Sequence, residues 1–124
     1  MSDDLSKLPP NVQERLLRLQ QLQQTLQTIL AQKQQVEMEK TEVEQTLAEL
    51  TKTTDDAVIY KAVGSLLVKA EKARVSEELT ERKSLLDTRS TVMARQEERI
   101  RAQVKEAQTK LQEDLSPVSG QPLS

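Results

Sequence analysis

The 124-residue sequence contains no cysteine, no histidine, no phenylalanine and no tryptophan. Without cysteine there are no disulfides and no thiolate metal sites. Without histidine, the commonest general base and the commonest metal ligand near neutral pH are missing. A single Tyr is the only aromatic, so the side chains that dominate most packed interiors are absent. Hydrophobic residues make up 35% and charged residues 31%, whereas soluble domains are usually about 45–50% apolar, Gly included. Such a chain forms long helices, stays disordered, or completes its core with partner chains. No apolar run approaches the length of about 18 residues that a membrane helix needs, and no secretory signal pattern opens the chain. A soluble, cytoplasmic protein with no membrane partner is expected. A net charge of −2 is no footprint for nucleic acid.

What is present is organised. From about residue 10 to 54, Val12, Leu19, Leu22, Leu26, Ile29, Val36, Val43, Leu47 and Leu50 recur at alternating steps of three and four. Arg15, Lys33 and Lys40 complete the series. A seam kept over five or more heptads predicts a coiled-coil helix, which the Gln-rich patch 19–35 does not interrupt. Pro9 and Pro10 suit its first turn, leaving residues 1–9 as an extension that carries Leu5 and Leu8. A second helix is expected over residues 76–115, with Ser76 as N-cap and Glu77 and Glu78 at its positive end. Its stripe is Leu79, Leu86, Met93, Ile100 and Ala107, with Leu85, Val92, Val104 and Leu111 beside them. Residues 116–124, "SPVSGQPLS", have the composition of a loose tail.

Between the helices, residues 55–75 break the pattern. "AVIYKAVGSLLVKA" (57–70) holds β-branched residues, the lone Tyr60 and one of only two glycines. Gly64-Ser65 is a permitted type II′ pair, so the stretch predicts a hairpin with Val63 opposite Leu66, Lys61 opposite Val68 and Ile59 opposite Ala70. Tyr60, Ala62 and Leu67 then share the other face with Lys69. An isolated hairpin is marginal in water and exposes two unpaired edges. No other strand is available, so other chains must supply the missing ones, and the hairpin is an assembly element. The competing reading is a helical bend, but the apolar positions continue neither flanking seam. Two helices of matched length joined in this way fold back as an antiparallel coiled coil.

The chain also resembles a known family. The order of long helix, "TTDDAVIYKAVGSLLVKA", long helix is similar to the β-class subunit of prefoldin, the archaeal form best, and "LPPNVQ" (8–13), "AQKQQVEME" (31–39) and "RQEERI" (95–100) add to it. The resemblance implies a mainly α fold whose single hairpin joins an intersubunit β-barrel. It implies a hexamer of two α-class and four β-class subunits. Such a hexamer is a chaperone that works without ATP, holds unfolded polypeptides at the tips of its helix pairs and delivers them to a group II chaperonin. The assembly residues would be Val58, Ile59, Tyr60, Val63, Gly64, Leu66, Leu67 and Val68. The client-binding residues would be Leu5, Leu8, Val12, Leu16 and Leu17 at one helix end, with Leu111, Leu115 and Val118 at the other. Expected partners are an α-class subunit, further copies of the chain, unfolded clients and the chaperonin, with no nucleic acid.

The alternative is a homo-oligomeric coiled-coil scaffold binding one fixed partner, which oligomer mass would separate from the hexamer. No cofactor or metal is expected: Asp55-Asp56 lacks further ligands at suitable spacing and reads as the end of a helix and the start of a turn. The basic residues in "RQEERIRAQVKEAQTK" are interleaved with acids and read as a solvated face. A DNA-binding zipper lacks its contiguous basic region. For an enzyme, the sequence offers no His, no Cys and no phosphate-cradling Gly loop.

Overall fold

The computed structural model describes residues 7–115. Its elements, in chain order, are helix α1 (Pro10–Thr51), strands β1 (Ile59–Val63) and β2 (Leu66–Ala70), and helix α2 (Lys72–Leu115). The chain divides into two compact units. One combines the stretch up to Ala31 with that from Ala94 onward, and the other runs from Gln32 to Met93.

Pro10 opens α1 because a first-turn residue needs no amide hydrogen. The carbonyl of Pro9 instead accepts from the amides of Val12 and Gln13, each at 3.0 Å. At the other end, threonines stop the helix. Thr51 Oγ1 donates to the Ala48 carbonyl and Thr53 Oγ1 to that of Leu50, each at 2.7 Å, taking up acceptors that the next turn would otherwise bond. The helix therefore ends at Thr51, three residues before the expected boundary at 54.

The α1 seam forms as its spacing predicts. In the first unit Val12, Leu19, Leu22 and Ile29 are buried, and in the second Val36 and Leu50 are. Leu26, Val43 and Leu47 are part-buried, as are the polar seam positions Arg15, Lys33 and Lys40. Within the second unit, the α2 partners descend as the α1 numbers rise: Glu37 with Ser90, Lys40 with Asp87, Glu44 with Lys83. The helices there are antiparallel. In the first unit Arg15, near the start of α1, reaches both Asp114, at 2.9 Å, and the Lys110 carbonyl, at 3.3 Å, near the end of α2.

Two expectations for α2 are corrected. The helix begins at Lys72, not at 76. Lys72, Ala73 and Arg74 are good helix formers with nothing to delay them, and the Glu71 carbonyl accepts from the Val75 amide at 3.0 Å. Ser76 is thus no cap; it lies inside the helix, where its carbonyl accepts from Thr80 Oγ1 at 2.8 Å. The second correction concerns the stripe. Leu79, Leu86, Met93, Ile100 and Ala107 all face inward, and Leu86 has no exposed surface at all. The residues that complete the seam are Lys83, Ser90, Glu97, Val104 and Leu111, whereas Leu85 and Val92 point outward and are exposed. Alternating steps of three and four from Leu86 reach Lys83 and Ser90, and these polar positions are tolerable because Glu44 and Glu37 answer them across the seam.

The hairpin register is Ile59↔Ala70, Tyr60↔Lys69, Lys61↔Val68, Ala62↔Leu67 and Val63↔Leu66, as the loop pair predicts. Gly64 has φ +62° and Ser65 is not left-handed, which excludes a type I′ turn and has the sign pattern of type II′.

Candidate functional site

Each unit carries a concentrated surface that the fold itself does not use. In the second unit it is the hairpin. β1 and β2 bond only to each other, so both outer edges present unpaired backbone groups. Tyr60, Leu66 and Leu67 are 60–72% exposed, and Val58, Val63 and Val68 are exposed as well. Ile59 is part-buried. Val58 lies just before β1 rather than in it. Among the described residues, six of the eleven exposed large hydrophobics thus fall within 58–68, a concentrated patch rather than scattered surface.

The hairpin is held in a fixed attitude by charges that the sequence did not single out. Lys61 Nζ donates to Glu78 Oε1 on α2 at 2.8 Å. That bond holds the Glu78 carboxyl below its ordinary range, with the Lys61 charge and that of Arg74 assisting. Lys72 donates to the Thr53 carbonyl at 2.7 Å and lies 3.5 Å from Asp55, tying the start of α2 to the chain leaving α1. Asp56 is held in its charged form by the Thr54 side chain and its own amide, so this Asp-Asp pair belongs to the turn. Between the hairpin and the first turns of α2 lies an open groove of about 570 Å³, lined by Lys61, Val63, Val68, Arg74, Val75 and Glu78. The Lys61–Glu78 tie could have been found from sequence only by knowing which face of the hairpin α2 meets.

In the first unit the candidate surface is the end where α1 starts and α2 stops. Arg15 brings Lys110 and Asp114 alongside the α1 start. The structure therefore gathers Leu8, Val12, Leu16 and Leu17 with Leu111 and Leu115. Leu17 is 55% exposed and Leu115 52%, whereas Leu8, Leu16 and Leu111 are part-buried. Val12, at 3%, is a seam residue and offers no surface while the helices are paired. Leu5 and Val118 lie outside the described residues. Basic residues further along α2 bond to acids one turn back, Arg101 to Glu97 at 2.7 Å and Lys110 to Glu106 at 3.1 Å, as a solvated face does.

The described residues include no group of three or more metal-ligating side chains and no helix long and apolar enough to cross a membrane. What they do present is exposed apolar surface on the hairpin and at the α1-start end.

Comparison with known proteins agrees with that arrangement. The family described as "Prefoldin subunit" matches residues 13–117. The chain belongs to the prefoldin subunit family. It is 47% identical over 116 residues to prefoldin subunit beta of Archaeoglobus fulgidus, covering 94% of this chain and all of that one. It is also 47% identical over 109 residues to prefoldin subunit beta of Methanothrix thermoacetophila, covering 88% and 91%. The crystal structure of the prefoldin beta subunit from Thermococcus strain KS-1 superposes with a TM-score of 0.78 at 40% identity, over 86% of this chain and 93% of that one. That of the prefoldin beta2 subunit from the same strain, at 23% identity, shares the fold with a TM-score of 0.66. As a prefoldin subunit of the beta class the chain is a chaperone component and not an enzyme.

Proposed function

We propose that this chain is one of four β-class subunits which, with two α-class subunits, form a cytoplasmic hexamer that holds unfolded polypeptides without ATP and passes them to a group II chaperonin. The observation that carries the assembly half is the hairpin: two open strand edges and exposed apolar side chains on both faces, with no further strand among the described residues to cover them. Strands from other subunits satisfy those edges by β-addition, and closure into a barrel removes them. Val58, Ile59, Tyr60, Val63, Leu66, Leu67 and Val68 are the assembly side chains, and Gly64 makes the turn.

Client holding falls to the other unit. Leu17 and Leu115 offer apolar surface at once, and Leu8, Leu16 and Leu111 add more as the end frays; Leu5 and Val118 would extend the patch. Val12 joins only when the seam opens. Loose contacts of this kind suit many sequences, because they demand no fixed geometry from the ligand.

Two variants separate the halves. Leu17→Ser with Leu115→Ser is expected to leave the native mass unchanged while weakening suppression of aggregation of a chemically unfolded test protein. Leu66→Lys with Leu67→Lys is expected to abolish assembly while leaving the helical circular dichroism in place. Unchanged suppression in the first variant would remove the tip assignment, and unchanged mass in the second would remove the hairpin assignment.

A further inference from the structure

In a chain of which 31% is charged, α1 runs through residues 19–32 without a single charge. The polar positions of that stretch are all glutamine or threonine. In the same unit α2 is the opposite: "RQEERIRAQVKE" (95–106) carries both signs throughout. A face that needs only solubility is built in that second way in this protein, with acid and base one turn apart, as in Glu97 and Arg101.

Gln20, Gln24 and Gln27 continue a row that starts at Leu17. Each of the four stands two residues before a seam position, namely Leu19, Leu22, Leu26 and Ile29. Two residues turn a helix by about 200°, so the row lies opposite the seam, and all four side chains are exposed. The neighbouring Thr25 and Thr28 donate their hydroxyls back to the carbonyls of Gln21 and Gln24, at 3.0 and 3.2 Å. The carboxamides of Gln20, Gln24 and Gln27, by contrast, have no hydrogen-bond partner among the described residues. From Leu17 to Gln27 the row is about 15 Å long at about 1.5 Å per residue. That is the span of about four to five residues of extended chain.

We propose that Gln20, Gln24 and Gln27 form a track for the backbone of an unfolded polypeptide, continuing the client surface along α1 from Leu17. The inference rests on reading Leu17 as part of the client-holding end. A primary carboxamide has two donors and an acceptor, the same kinds of group as a peptide bond. An unfolded segment exposes those peptide groups whatever its sequence, so the track accepts any segment in any register while Leu17 supplies apolar contact at its end. The lack of charge does a second job. Clients of either sign can run along the row without meeting a like charge, which a charged wall would impose on half of them. A site for one folded partner would instead present buried aromatic or Arg anchors, or complementary charge, and the row has neither.

The absence of native cysteine makes the test clean. Gln24→Cys is labelled with a benzophenone maleimide, incorporated into the assembled complex, mixed with a chemically unfolded test protein and irradiated. Crosslinking to the test protein is expected well above that from Gln103→Cys, an exposed position on α2 of the same unit. A yield no greater than that control, or crosslinks chiefly to another subunit, overturns the proposal. In a second arm, Gln20→Glu, Gln24→Glu and Gln27→Glu are combined in one chain, and the three Lys changes in another. Native mass and helical circular dichroism are expected to stay unchanged in both. The Glu variant should lose several-fold in suppressing aggregation of an acidic unfolded protein while still holding a basic one, and the Lys variant should do the reverse. No loss, or an equal loss for both test proteins, overturns the proposal. The Leu17→Ser, Leu115→Ser variant reports on the tip itself. Suppression that depends on those leucines without crosslinking at Gln24 removes the glutamine track alone, so its failure and that of the tip reading are distinguishable.

Discussion

Leu86 and Leu17 make a direct test of the packing. Leu86 has no accessible surface, whereas Leu17 is 55% exposed on the outside of α1. Truncating Leu86 to Ala removes three carbons from a filled seam, about 2.4 kcal/mol at about 0.8 kcal/mol per buried methylene. The residual cavity adds to this, and buried Leu→Ala changes span about 2–5 kcal/mol according to how far the site collapses. A seam between two helices has only one packing layer and can close partway, so Leu86→Ala should fall near the lower end, about 2–3 kcal/mol. Leu17→Ala removes the same atoms from solvent and is expected to cost no more than about 0.5 kcal/mol. Urea unfolding followed by helical circular dichroism measures the difference, at one fixed chain concentration because assembly adds a mass-action term. With a urea slope of about 1–3 kcal/mol per molar, the Leu86→Ala midpoint should drop by about 0.7–3 M and that of Leu17→Ala should move far less. Equal shifts in the two variants would refute the assignment of Leu86 to the seam.

The remaining predictions concern the hairpin and its ties. Gly64→Ala meets no atom within 4 Å, so its whole cost is the left-handed backbone, about 1–2 kcal/mol; a thermal melt unchanged from wild type would contradict the turn. The Glu78 carboxyl is depressed below its ordinary value of 4.5 by Lys61, so its contribution is full above that value and lost as pH falls through the lower, folded one. Fluorescence of the lone Tyr60, on the hairpin itself, should show this acid step in wild type and not in Glu78→Gln. Lys40 is raised above 10.5 chiefly by its hydrogen bond to Asp87. Its contribution is full below 10.5 and lost as pH rises through the folded value, so Asp87→Asn should remove an alkaline step from the melting profile.

Most of the architecture is legible in the chain because two of its signals are strictly local. The three-and-four spacing from Val12 to Leu50 defines an inward face for any α-helix, and the structure buries or half-buries every residue of it. Gly64-Ser65 sets the turn, and a two-residue turn sets the register of all five strand pairs. The placement of the candidate residues is legible as well: the hairpin side chains, Ile59 apart, stand exposed on both faces, and Arg15 near the start of α1 meets Asp114 near the end of α2. Val12 is the exception at that end, since its spacing belongs to the seam as much as to the patch.

Three features of this protein were decided only in three dimensions. The first turn of α2 is tied across the loop, where Lys72 meets the Thr53 carbonyl and Asp55, partners about twenty positions distant in the chain. Leu85 and Val92 turn outward while Lys83 and Ser90 turn in, since acids on α1 meet the polar pair; hydrophobicity along one strand of sequence carries no record of what faces it. The hairpin's attitude likewise depends on Lys61 reaching Glu78. Backbone periodicity is written within a few neighbouring residues, whereas the choice of which polar groups enter an interface is made by charges brought close only after the chain has folded.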